Sequence, residues 1–134
     1  MEVENSILRD LVSQQQFNEA LIRMMVLLYQ ADGKVTLTEQ DFFNDTIEEM
    51  HWYSGIALPA FINQVIHDAR QALDSQLGAD YLKGLANELN IDAATAFEVA
   101  MSITAVDGKR SDEELELLSL LSNKILARGL VAES

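Results

Sequence analysis

Two stretches decide the fold: Ala31-Asp-Gly-Lys-Val-Thr-Leu-Thr-Glu39 and Val106-Asp-Gly-Lys-Arg-Ser-Asp-Glu-Glu114. Asp32-Gly33-Lys34 returns as Asp107-Gly108-Lys109, a frame of 75 positions. Within each stretch, Thr36-x-x-Glu39 and Ser111-x-x-Glu114 spell a capping box. In that motif the hydroxyl takes the amide three residues on, and the carboxylate takes the amide of the cap residue itself. Each copy follows a nearly all-apolar run. The repeated unit is therefore helix, Asp-Gly-Lys turn, helix.

Outward from the repeat, apolar residues recur at three- and four-residue spacing and alternating β-branched runs are absent, so the chain reads as all-α. The pattern predicts a first helix over about Ser6 to Gln15. The second covers about Asn18 to Ala31 and is apolar nearly all round, as a central buried helix would be. A third runs from Leu37 or Thr38 towards Tyr53, and a fourth from Pro59, the only proline, to about Leu73. A fifth is expected from Leu77 to Leu89. Asp92 caps a sixth over about Ala93 to Val106, and Ser111 opens a seventh that ends near Arg128-Gly129. About seven helices thus form a single-domain bundle over 1–134, with repeat halves at about 18–53 and 93–128. The two apolar helices are expected side by side at its centre.

The chain has 134 residues, enough for one core. Hydrophobic residues make up 49% and charged residues 23%, which is ordinary globular usage despite a net charge of -13. An excess of 22 acidic over 9 basic residues repels phosphate backbones and anionic lipid, so nucleic-acid and membrane-surface partners are not expected. Cations or a basic protein partner suit this charge better. Without cysteine there are no disulfides or thiolate metal sites, leaving carboxylate and imidazole as metal ligands. The longest apolar run, Met24 to Tyr29, is far short of the roughly 20 residues of a membrane helix, and the acidic N-terminus does not resemble a secretory signal. The expectation is a soluble, cytoplasmic protein without membrane insertion.

The Asp-Gly turns match half of an EF-hand loop, with Asp32, Gly33, Val35 and Glu39 at loop positions five, six, eight and twelve. The first-half ligand positions fall on Leu28 and Gln30, and in the second copy on Ile103 and Ala105, so a regular calcium loop is excluded. One reading is that the turns only reverse the chain, with glycine supplying a positive φ and aspartate a local side-chain turn. Against this, both aspartates stand at the negative end of a helix dipole, a cost that a cation, or Lys34 and Lys109, would offset. If the turns meet, Asp32, Glu39, Asp107 and Glu114 form a four-carboxylate site for a hard divalent cation, calcium or magnesium rather than zinc, with Asp41 and Glu116 nearby.

Glu48-x-x-His51 is the half-site that di-iron bundles use twice, but His67 has Gln64 in place of the second glutamate, so that centre is not expected. His51 reads as a surface or interface residue, and Trp52 and Tyr53 as a helix end packed on the core or an aromatic patch for a partner. No nucleophile elbow, phosphate loop or dinucleotide fingerprint occurs. No catalytic residues are assigned, and no enzyme is expected.

On the paired Asp-Gly-Lys stretches, over about residues 18 to 128, the chain resembles the TerB-like (tellurite-resistance TerB) family. It is also similar to the related domain of DjlA-type membrane co-chaperones. The resemblance implies an all-helical fold of repeated halves and a cytoplasmic, non-enzymatic role in stress response or tellurite resistance. Its acidic metal positions fall here on Asp32, Glu39, Asp107 and Glu114. Arg110, where an aliphatic residue is usual, implies a weaker second site. Tellurite is an anion, so any link to resistance is indirect for a protein this acidic. A protein partner is expected, its identity open, and a homodimer is compatible with the pattern. The alternative is a purely structural interaction domain without metal.

Overall fold

The computed structural model describes residues 2–31, 36–52, 54–106 and 110–126. Among them the chain is all-helical, with no strand, and no helix is long and apolar enough to cross a membrane.

The first element, α1, is one helix from Glu2 to Gln30, 29 residues long, where two helices were expected. The expected gap between them, at about Gln16-Phe17, follows the polar run Ser13-Gln-Gln-Gln16. Glutamine is a good helix former, however, and no glycine or proline interrupts the run. Gln14 Nε2 donates to Asn18 Oδ1 at 2.8 Å and Gln15 Nε2 to Glu19 Oε2 at 3.1 Å, two i,i+4 bonds that carry the helix across the junction. Beyond it, Ile22 and every residue from Met24 to Leu28 are fully buried. Burial on all sides follows because α1 packs against α3 (Leu58–Asp74), α5 (Ala86–Leu89) and α6 (Ala93–Ile103). The two apolar helices of the repeat are thus neighbours, as the sequence implied.

Helix α2 spans Leu37–Glu48 and stops five residues before the expected Tyr53. Just beyond its end, buried Asn18 of α1 donates from Nδ2 to the carbonyl of non-helical His51 at 2.7 Å, which ties this segment to α1. Glu48 and His51 therefore do not share a helix face, and the half-site geometry does not form. Trp52 lies at 5.0 Å on the Phe61 ring of α3 and donates from Nε1 to the Ile56 carbonyl. It is core packing rather than an outward patch. Tyr53 lies outside the described residues.

Pro59 sits in the first turn of α3, where its missing N–H costs nothing. At the other end the Leu77 amide reaches back to the Ala72 carbonyl at 2.7 Å and the Gln76 amide to Leu73 at 3.1 Å. This is a Schellman end with Gln76 at the left-handed position, φ 62°. A side chain there costs about 1–2 kcal/mol, partly offset by the entropy lost on using glycine. Gln76→Gly is expected to raise stability by about 0.5–1 kcal/mol, read as a higher urea midpoint at unchanged slope.

The expected fifth helix divides into α4 (Gly78–Lys83), α5 and a 3-10 turn at Asn90–Asp92. Gly84, a weak helix former, marks the division, and the Leu85 amide there bonds Leu82 in the tighter 3-10 manner. Asp92 caps α6 as predicted, accepting from the Thr95 amide at 3.2 Å and hydroxyl at 2.7 Å. The last expected helix is α7 (Asp112–Leu120) followed by a π-turn at Leu121–Ile125. At its end Asn90 donates from Nδ2 to the Ile125 carbonyl at 2.8 Å, and the Leu126 amide reaches the Leu121 carbonyl.

Candidate site at the paired turns

Both capping boxes form. Glu39 is 4% exposed; its Oε1 accepts from the Thr36 amide at 3.2 Å and hydroxyl at 2.9 Å, and its own amide donates to Thr36 Oγ1. Glu114 is also 4% exposed; its Oε1 accepts from the Ser111 amide at 2.9 Å, and its amide donates to Ser111 Oγ. A carboxylate tolerates such burial at a helix start because orphan N–H groups and the positive dipole end favour its charge. Of the four predicted ligands, Glu39 and Glu114 thus occupy equivalent places. Asp32 and Asp107, with Gly33, Lys34, Gly108, Lys109 and Gly129, lie outside the described residues. Among the described residues alone no cluster of three or more Asp, Glu or His gathers at metal-binding distance.

At the opposite polarity, an arginine meets each helix that leads into a turn. Arg70 of α3 donates to the Gln30 side chain at 2.9 Å and the Gln30 carbonyl at 3.5 Å, at the last residue of α1. It also pairs with exposed Asp74 at 3.7 Å. Arg110 donates from Nη2 to the Met101 carbonyl at 2.9 Å and from Nε to Thr104 Oγ1 at 3.0 Å, over the end of α6. Guanidinium groups thereby satisfy terminal carbonyls and oppose the negative dipole ends. The sequence reading gave this task to Lys34, Lys109 or a metal and missed both arginines. Arg70 is 40 positions from Gln30 and leaves no local signal, while Arg110 looked like a defect in the repeat. It is instead the cap of α6.

The halves differ in what stands behind the caps. In the first, Tyr29 meets Phe43 edge-on at 5.5 Å. The corresponding Thr104 is fully buried and donates to the Ala100 carbonyl at 2.8 Å. Burial pushes the Tyr29 phenol above its ordinary value; the Gln30 hydrogen bond opposes the rise and the Glu39 charge adds to it. Tyr81 is raised by burial too, with Arg23 opposing and Asp68 adding. The folded state therefore holds these two protons more tightly than the unfolded chain. Their contribution is complete below the ordinary phenol pKa of 10.0 and is lost as pH rises through the higher folded values. Thermal midpoints are expected to fall above about pH 10, and the fall to shrink in Tyr29→Phe/Tyr81→Phe.

A cavity of about 530 Å³ opens where α1 ends. Ala31, the residue before Asp32, lines it together with Leu73 of α3 and Glu113, Glu116, Leu117 and Leu120 of α7. The exit of α1 and the opening turns of α7 accordingly share one end of the bundle. Asp41, the repeat counterpart of Glu116, is exposed on α2. Comparison of the chain with protein-family models, with curated proteins and with solved structures finds no match.

Proposed function

We propose that the chain is a non-enzymatic, TerB-like module that acts by binding, and that the bundle end carrying its paired acidic turns takes a divalent cation or a protein partner. The observation that carries this reading is the shared cavity, in which the residue leading into the first turn meets the helix that follows the second. With buried Glu39 and Glu114 opening α2 and α7, such an arrangement suits Asp32 and Asp107 as the remaining ligands of a hard cation, calcium or magnesium before zinc. By resemblance the setting is a cytoplasmic response to tellurite or related stress. At a net charge of -13 the protein would act on tellurite only indirectly, and nucleic acid is disfavoured as a partner.

A second reading, a structural interaction domain without metal, draws support from Arg70 and Arg110. They supply positive charge at the same two helix ends where a cation would otherwise be welcome. Calorimetric titration of calcium, magnesium, manganese and zinc into metal-stripped protein separates the two. Saturable binding that is lost in Asp32→Asn/Asp107→Asn supports the cation site. No binding by the unaltered protein leaves the turns as helix caps.

A further inference from the structure

The cavity between α1, the α3–α4 junction and α7 has an apolar floor, with Ala31, Leu73, Leu117 and Leu120 contributing, and an acidic lip formed by Glu113 and Glu116, both exposed. Among the described residues, no lysine or arginine lines it. Around it, Asp112 of α7 and Asp74 and Asp80 of α3 and α4 are exposed and acidic, while Arg70 is occupied by Gln30 and Asp74. Leu77, half exposed, lies between lining residues Gln76 and Gly78 without lining the cavity itself.

We infer that this cavity docks a basic amphipathic helix of a partner protein, with its apolar side chains on the floor and its lysines or arginines against Glu113 and Glu116. Charge complementarity selects the occupant. A second copy of a chain carrying -13 would bring like charge to an acidic lip, and anionic lipid would be repelled for the same reason. An extended peptide is disfavoured because the walls are helices and no strand edge among the described residues offers backbone partners. A helix satisfies its own backbone and needs from the cavity only apolar contact and rim charge. The inference rests on the reading of the chain as a binding module and not on a cation at the turns, so the metal titration and the experiment below fail separately.

The test uses a synthetic amphipathic helix of leucine and lysine, with a leucine–glutamate helix as control, titrated into the full chain and followed by amide chemical shifts. Two variants attack the cavity: Glu113→Lys/Glu116→Lys reverses the lip, and Ala79→Trp fills the space from an exposed lining position without changing charge. Asp41→Lys/Asp45→Lys makes the same charge change on exposed positions of α2, away from the cavity. The expected result is binding of the lysine helix alone, with shifts at Ala31, Leu73 and Leu120. Affinity should fall at least about tenfold in both cavity variants and far less in the α2 variant. Three outcomes would overturn the inference: no binding, equal loss in the α2 variant as for non-specific attraction, or a dimer of the chain that Ala79→Trp dissociates.

Discussion

Leu28→Ala is expected to destabilise the protein by about 3–5 kcal/mol, the cost of removing a large side chain where the surroundings close only partly over the space left behind. Leu28 is fully buried near the end of α1, in the stretch that α3, α5 and α6 surround. A helix packed on several sides cannot shift towards one gap without opening another, which places this site at the upper part of the range. Against a typical total of about 5–15 kcal/mol, the loss would leave the fold marginal. Val12 on the same helix is 56% exposed, and Val12→Ala should cost under about 0.5 kcal/mol. Urea denaturation of the two variants at comparable slopes provides the check. Equal losses would mean that α1 is not the central helix.

Glu39→Ala and Glu114→Ala should each cost about 1–3 kcal/mol, because each strips an acceptor from a buried helix start and leaves amides unsatisfied. Glutamine at either position keeps an acceptor but loses the charge that the helix dipole favours, so Glu→Gln should fall between the unaltered protein and alanine. The order alanine, glutamine, glutamate is the signature of a cap in both halves. In chelator the two alanine substitutions should add to within about 0.5 kcal/mol, as independent caps do. With calcium or magnesium present, a shared cation site would make them depart from additivity, because the second substitution then has no bound ion left to lose. Additivity under both conditions would favour the structural reading.

What the sequence made legible was local. A hydroxyl three positions before a glutamate, twice, located the starts of α2 and α7, and Asp92 and Pro59 located two more. The run of apolar residues after Asn18 located the centre of the core. Helix ends were less legible, and residues far along the chain make contacts there that leave no local signal. Asn18 binds the His51 carbonyl just past α2, and Asn90 binds the Ile125 carbonyl at the end of the π-turn after α7. The gap expected between Gln15 and Asn18 does not occur, and Gln14 and Gln15 bridge across it to Asn18 and Glu19. The proposed cation ligands were read from the repeat spacing, the helix-dipole argument and the resemblance. The site's arginines were hidden, one by distance in sequence and one by an assumed aliphatic pattern. The cavity, assembled from three separated segments, had no sequence signal.

The most direct test of the claim that the two turns act as one site is paramagnetic broadening by manganese in metal-stripped protein. Added below one equivalent, manganese is predicted to broaden the amides of Thr36, Glu39, Ser111 and Glu114 together, while those of exposed Asp10, Asp74 and Glu98 stay sharp. Broadening spread over these exposed acidic residues with both capping boxes sharp, or confined to one box, would contradict it.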